Sequence, residues 1–169
     1  MKSRWRVVDS PLSPLWLRAD AKGRLTDLRI GDDDTGPGPQ CLGDVDIGLD
    51  AGRALDVAAA QLAEYFARQR QTFDIPLAME GSPFQRQVWA ELLQIPFGTT
   101  ASYGDVAAHM GRTGAARAVG HANARNPIAI IVPCHRVIGS SGGLTGYGGG
   151  LRAKRYLLDL EAQVPRRSS

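Results

Sequence analysis

The sequence predicts an α/β chain, with a small antiparallel sheet and one helix in an N-terminal domain and a mostly helical C-terminal domain containing a helix-turn-helix. Three observations predict it. Apolar and polar residues alternate in three short N-terminal runs, apolar residues then recur at helical spacing in one long stretch, and two short capped stretches joined through glycine follow. With 169 residues and 43% apolar composition, the chain can bury one core or two small ones.

Trp5 to Val8, Leu15 to Ala19 and Leu25 to Ile30 alternate as strands, with Asp9-Ser10-Pro11 and Ala21-Lys22-Gly23 as turns. Gly31-Asp32-Asp33-Asp34-Thr35-Gly36-Pro37-Gly38-Pro39 is polar and rich in breakers, an exposed loop. Ala54 to Arg70 carries Leu55, Ala58, Ala59, Leu62, Tyr65 and Phe66 at helical spacing, so an amphipathic helix covers the sheet. Phe73 to Leu77 reads as an edge strand leading to a linker around Glu80-Gly81, which divides the chain into residues 1–80 and 81–169.

Beyond the linker, Ser82 caps and Pro83 opens a helix through Leu93, with Val88, Trp89, Leu92 and Leu93 as its apolar stripe. Ser102 to Gly111 is a short helix stopped by glycine. Thr113 then caps a second short helix, Gly114 to Ala124, which Asn126-Pro127 ends. These residues leave two readings open, a helix-turn-helix or a pair of alanine-rich core helices. As a DNA binder the second helix has few side chains able to read bases, which favours sequence-independent contact.

The net charge of +3 is unevenly divided. Residues 1–80 carry 10 Lys+Arg against 13 Asp+Glu and residues 81–169 carry 10 against 4, so the parts stand at −3 and +6. That is the footprint of a polyanion bound by the C-terminal part, against the plainer reading of a solvated basic surface. Cys41 and Cys134 have no framework spacing and read as reduced thiols, Cys41 as an unreactive one. His109, His121 and His135 are scattered, so neither metal nor other cofactor is expected. The N-terminal charges precede no apolar h-region, and the longest apolar run, Ile128 to Val132, is too short to cross a bilayer. The expectation is a cytoplasmic protein without membrane contact.

Chemistry concentrates in Pro133-Cys134-His135-Arg136-Val137, where a cysteine and a histidine are adjacent behind that apolar run. A thiol attacks as thiolate, and an imidazole beside it favours the charged form, so Cys134 reads as a nucleophile. The glycines at 142–143 and 148–150 lack the Gly-Lys-Ser/Thr ending of a phosphate loop and read as a flexible pocket rim.

The candidate helix-turn-helix, Asn126-Pro127, the apolar run, Pro133-Cys134-His135-Arg136-Val137, Gly146-Tyr147 and a closing helix occur in this order between Ser82 and Glu161. In that order the chain resembles the O6-alkylguanine-DNA alkyltransferases, the methylated-DNA–protein-cysteine methyltransferase family. The resemblance implies direct repair of double-stranded DNA containing O6-alkylguanine: the alkyl group moves from O6 of guanine, and from O4 of thymine, to the protein's own cysteine after base flipping. A thioether product has no good leaving group, so each molecule acts once. A monomer is expected, with cooperative clustering on DNA left open.

By the same resemblance Cys134 is the alkyl acceptor, His135 takes its proton through a water, and Glu161 orients His135 in the manner of a triad. Asn126 ties the end of the second DNA-binding helix to the active-site segment. Tyr103 donates a proton to the purine ring as the guanine leaves. Arg117 fills the duplex where the nucleotide has rotated out, and Ala116, Ala122 and Asn123 join Arg117 and Tyr103 on DNA. The backbone carbonyls of Val137 and Cys134 accept from the guanine amine, Tyr147 walls the flipped base, and Lys154 belongs to the pocket on the closing helix. Gly148 stands where some members carry serine, leaving only a backbone N–H toward O6. The rivals are an alkyltransferase-like lesion binder, in which another residue replaces the cysteine, a cysteine hydrolase and a plain helix-turn-helix regulator.

Overall fold

A computed structural model describes residues 5–31, 48–144, 146–147 and 150–163. The loop expected beyond Gly31, with Cys41, lies outside the described residues. The chain divides into two compact units, Met1–Glu80 and Gly81–Ser169.

In the first unit, β1 (Trp5–Val8), β2 (Leu15–Ala19) and β3 (Leu25–Ile30) form an antiparallel sheet in that order. Their bounds are those the alternation predicts. Leu15, Leu17, Leu28 and Ile30 share one buried face through the pairs Leu15↔Ile30 and Leu17↔Leu28, and α1 (Leu49–Phe66) packs against β2 and β3. Helix α1 starts five residues before the expected Ala54 and stops four before Arg70. It stops because Arg68 adopts φ 63 and closes the end, with Arg68 N–H donating to Tyr65 O and Gln69 N–H to Glu64 O. Glycine usually fills that left-handed position, so an arginine there gives the sequence no stop signal.

The expected strand Phe73 to Leu77 is a single parallel bridge, Leu25↔Leu77. The physical reason is that the segment spends its polar groups elsewhere. Asp74 N–H donates to Gln61 Oε1 at 2.9 Å, Gln61 Nε2 donates to Asp74 O at 3.3 Å, and Pro76 has no N–H to give a ladder.

The second unit opens with α2 (Pro83–Leu92), capped reciprocally by Ser82 and Gln85 with Pro83 in the first turn. A Cβ on Gly81 would stand 2.5 Å from the Trp89 ring, so the chain enters α2 through the one residue that fits. Trp89 is buried, and its Nε1 donates to Ala122 O at 2.9 Å. The two-residue β4 (Ala101–Ser102) leads into α3 (Tyr103–His109), capped by Ser102 and Asp105. Gly111, at φ 68, ends α3 by the expected glycine device: Gly111 N–H donates to Ala108 O and Arg112 N–H to Ala107 O. Helix α4 (Ala116–Ala124) packs on both α2 and α3. It starts two residues after the expected Gly114 and has no side-chain cap, so Thr113 does not cap it. Gly114 sits at φ 92, outside helical geometry, and the helix can begin only beyond it.

A 3-10 turn (Cys134–Arg136) then runs into β5 (Val137–Ile138), and α5 (Leu151–Gln163) closes the unit. Strands β4 and β5 pair in parallel, Ala101↔Val137 and Ser102↔Ile138, which fixes the start of α3 beside the cysteine turn. Among the described residues no helix is long and apolar enough to cross a membrane.

Candidate active site

The segment carrying Cys134 is pulled into the core by its apolar residues and held there by asparagines. Ile128, Ile130, Ile131 and Val132 are buried. Asn126, just past α4, donates from Nδ2 to Val132 O at 2.8 Å and accepts from Ile128 N–H at 3.0 Å, which ties the helix end to the segment before the cysteine. Ile130 has φ 70, a left-handed conformation that costs a β-branched residue about 1–3 kcal/mol, so the surrounding packing holds a strained chain there. Cys134 N–H donates to Val132 O at 2.8 Å, and Asn123 Nδ2 lies 3.4 Å from Cys134 O.

Cys134 is 5% exposed. Burial pushes its thiol up to about 11, against the side-chain hydrogen bond of Asn126, the charge of Lys154 and the backbone N–H groups of Cys134 and His135, which favour the thiolate. At neutral pH about one molecule in ten thousand then carries a thiolate. The resting residue is a thiol, and attack by it requires a base.

His135 is fully buried, and its Nε2 lies 2.8 Å from Glu161 Oε1. With Glu161 ionised, Nε2 carries the proton and Nδ1 keeps the lone pair. Nδ1 is buried and has no hydrogen-bond partner among the described residues. Burial lowers the imidazole's affinity for a second proton, the hydrogen bond and charge of Glu161 raise it, and the charges of Arg136 and Lys154 lower it again. Burial alone would push Glu161 up, but His135 and Arg136 overturn that and hold its carboxyl at about 2.

Arg136 has no role in the sequence reading, yet the structure puts it in this cluster. Its Nε and Nη2 donate to Glu161 Oε2 and Oε1, each at 2.9 Å, and its Nη1 donates to Ile95 O at 2.7 Å. With Cys134 and Val137 buried, a charged residue between them needs a buried counter-charge. Which residue supplies it, 25 positions away, is a tertiary fact.

Lys154, on α5, is fully buried and donates from Nζ to Val137 O at 2.6 Å. Val137 O, expected to accept from the substrate, thus already holds one bond and keeps a second lone pair. Tyr103 begins α3, half-buried, against α4: a Cβ on Gly120 would meet its ring at 3.7 Å. Tyr147 is half-buried, and Gly148 lies outside the described residues.

On the outer side of α4, Arg117, Ala118, His121 and Arg125 are exposed and line an open cleft of about 790 Å³ with Phe84 and Gln85 of α2. Ala116 is half-buried at the start of the helix. Ala122 and Asn123, expected on DNA, are both buried, and of the two Ala122 also lines this cleft. Asn123 points inward because the helical period turns it to the side of the cysteine turn, where its Nδ2 lies against Cys134 O. Among the described residues no group of three His, Cys, Asp or Glu side chains is placed to hold a metal.

Residues 83–163 match the family described as 6-O-methylguanine DNA methyltransferase, DNA binding domain, and residues 3–79 match its ribonuclease-like domain. A methylated-DNA–protein-cysteine methyltransferase of Mycobacterium tuberculosis is 50% identical over 157 residues, covering 93% of this chain and 91% of the relative. The crystal structure of the O6-methylguanine methyltransferase of that organism superposes with a TM-score of 0.83 at 46% identity, covering 98% of this chain and 96% of the other. A structure of the Mycobacterium tuberculosis OGT in complex with DNA superposes at 0.81 with 47% identity, covering 96% and 95%.

Proposed function

The chain belongs to the 6-O-methylguanine DNA methyltransferase family, and from that premise we infer what each residue of the cysteine site does. The protein is a DNA-repair methyltransferase that transfers an alkyl group from O6 of guanine to its active-site cysteine. Cys134 is our assignment for that cysteine. The observation that carries it is a buried thiol followed directly by a histidine whose far nitrogen is held by Glu161 at 2.8 Å.

In this reading, a water passes the thiol proton to His135 Nδ1, because neighbouring side chains do not point the same way. The sulfur forms a bond to the alkyl carbon as the carbon–O6 bond breaks, and the electron pair goes to the guanine. Tyr103 protonates the purine ring, and the proton stored on His135 returns through solvent to the tyrosine. In sum the thiol hydrogen replaces the alkyl group on guanine, and the thioether ends the protein's activity. Glu161 holds the imidazole tautomer. Lys154 and Asn126 favour the developing thiolate, and Tyr147 and Gly148 belong to the wall and rim around the base.

The substrate is double-stranded DNA containing O6-alkylguanine, bound by residues 81–169, with residues 1–80 as a separate supporting domain. Arg117, exposed on α4, fills the space of an extruded nucleotide, at a site where unstacking costs a few kcal/mol. The protein acts as a cytoplasmic monomer. Incubation with an O6-methylguanine duplex, followed by peptide mass mapping, tests the reading: one methyl on Cys134 and no second turnover are expected. Unmodified Cys134 on protein that binds the duplex would overturn it.

A further inference from the structure

We propose that Arg136 is a positioning residue for the transfer: its fork sets the face that Glu161 presents to His135, and its charge keeps the buried His135–Glu161 pair free of an extra proton, and so keeps His135 Nδ1 open to the thiol's proton. This rests on the reading of Cys134 and His135 above.

The geometry is specific to a guanidinium. Glu161 Oε1 accepts from His135 at 2.8 Å and from Arg136 Nη2 at 2.9 Å, while Oε2 accepts from Arg136 Nε at 2.9 Å and faces Gly98 N–H at 3.4 Å. Both carboxylate oxygens are therefore held by one planar group. That group is itself fixed, by Nη1 on Ile95 O at 2.7 Å and by the Phe97 ring 5.7 Å from the guanidinium carbon. The carboxylate cannot rotate without breaking the fork, so the face it presents to His135 Nε2 is set.

The charged groups acting on His135 are Arg136 on its own turn and Glu161 and Lys154 on α5, with the Cys134 thiol next to it in the chain. Helix α2, also packed on the turn, buries only Val88, Trp89 and Leu92. Arg136 and Glu161 cancel, and His135 then has no reason to hold a second proton while buried. Without the guanidinium, an anion buried to 1% exposure takes up a proton. If the proton sits on His135, Nδ1 is already filled. If it sits on Glu161, the carboxyl donates to Nε2 and the imidazole proton moves to Nδ1. Both outcomes close the acceptor that the thiol needs.

The test is the pH profile of single-turnover methyl transfer for the full chain, for Arg136→Gln and for Arg136→Lys, with ¹⁵N NMR of the His135 ring. The acid limb of Arg136→Gln should move up by about one pH unit or more, about a tenfold loss on that limb. Arg136→Lys keeps a buried cation without the fork, so its limb should stay near that of the unaltered protein at a lower plateau. A limb unmoved in Arg136→Gln, or moved equally in both variants, overturns the proposal. So does an imidazolium or an Nδ1–H tautomer of His135 at neutral pH in the unaltered protein, a result readable even if the glutamine variant does not fold. Absence of methyl on Cys134 of the unaltered protein would instead remove the reading beneath it, while the NMR result would still report on Arg136.

Discussion

Replacing Glu161 by glutamine keeps the shape of the side chain and deletes its charge, leaving the guanidinium of Arg136 buried at 8% side-chain exposure with no anion. Two routes give the cost. Breaking a buried pair by removing one partner costs about 3–5 kcal/mol. The lowering of the Glu161 carboxyl from 4.5 to about 2 corresponds to about 3 kcal/mol of stability. We therefore expect Glu161→Gln to lose about 3 kcal/mol at neutral pH, a fall of about 1–3 M in the urea midpoint. Trp89 is the sole tryptophan of the second unit, so its emission in a Trp5→Phe, Trp16→Phe background reads that unit alone. Because the carboxyl is depressed in the folded state, its contribution is complete above pH ~4.5 and is lost as pH falls toward ~2. The difference between the two proteins should close over that window. A gap below about 1 kcal/mol at neutral pH, or an equal gap at pH ~2.5, would refute the reasoning.

Three further outcomes follow from the same geometry. Asn126→Ala removes the bonds to Val132 O and Ile128 N–H, and should cost about 2 kcal/mol of stability and slow transfer by up to about 100-fold; wild-type rates in a folded variant would show that the tie is unnecessary. Burial raises the Cys134 thiol to about 11, so alkylation by iodoacetamide, followed on the Cys134 peptide, should climb about tenfold per pH unit through pH ~10. A plateau near the ordinary thiol value of ~8.5 would contradict that. Arg117→Ala should slow repair in duplex DNA far more than reaction with free O6-methylguanine, and equal losses on both would remove its role in base extrusion.

Much of the fold is legible because local patterns and tertiary contacts agree. The three strands alternate because the sheet they form buries a face and pairs along its strand edges, and their bounds can be read residue by residue. Helix α1 ends where Arg68 does a glycine's work, so nothing local marks the end. Phe73 to Leu77 has the composition of a strand, but Gln61 takes the amide of Asp74 that a ladder would need. Helix α4 starts after Gly114 because of a backbone angle, which a cap residue two positions away does not reveal. In the site, the adjacent Cys134 and His135 are visible in the sequence. Placing Glu161 beside them took the family resemblance, since spacing alone does not bring α5 to the turn. Arg136 carries no mark of the site in the sequence because a charge beside a catalytic pair reads as solvated until its burial is seen, and Asn123 is expected on DNA because a polar residue on a candidate DNA helix reads as outward-facing.

Helix α4 has one side open to solvent, with Arg117 and His121, and another that reaches the cysteine turn through Asn123. A duplex docked on the open side is therefore held away from the sulfur by the thickness of the helix, about 10 Å. The thiol sits at a fixed depth, and no side-chain rotation on the protein closes that distance to a stacked base. In the function proposed above, all of the travel falls to the nucleotide. A lesion that cannot leave its helix, through a crosslink to the opposite strand or a rigid backbone, would remain out of reach however readily its alkyl group could be transferred.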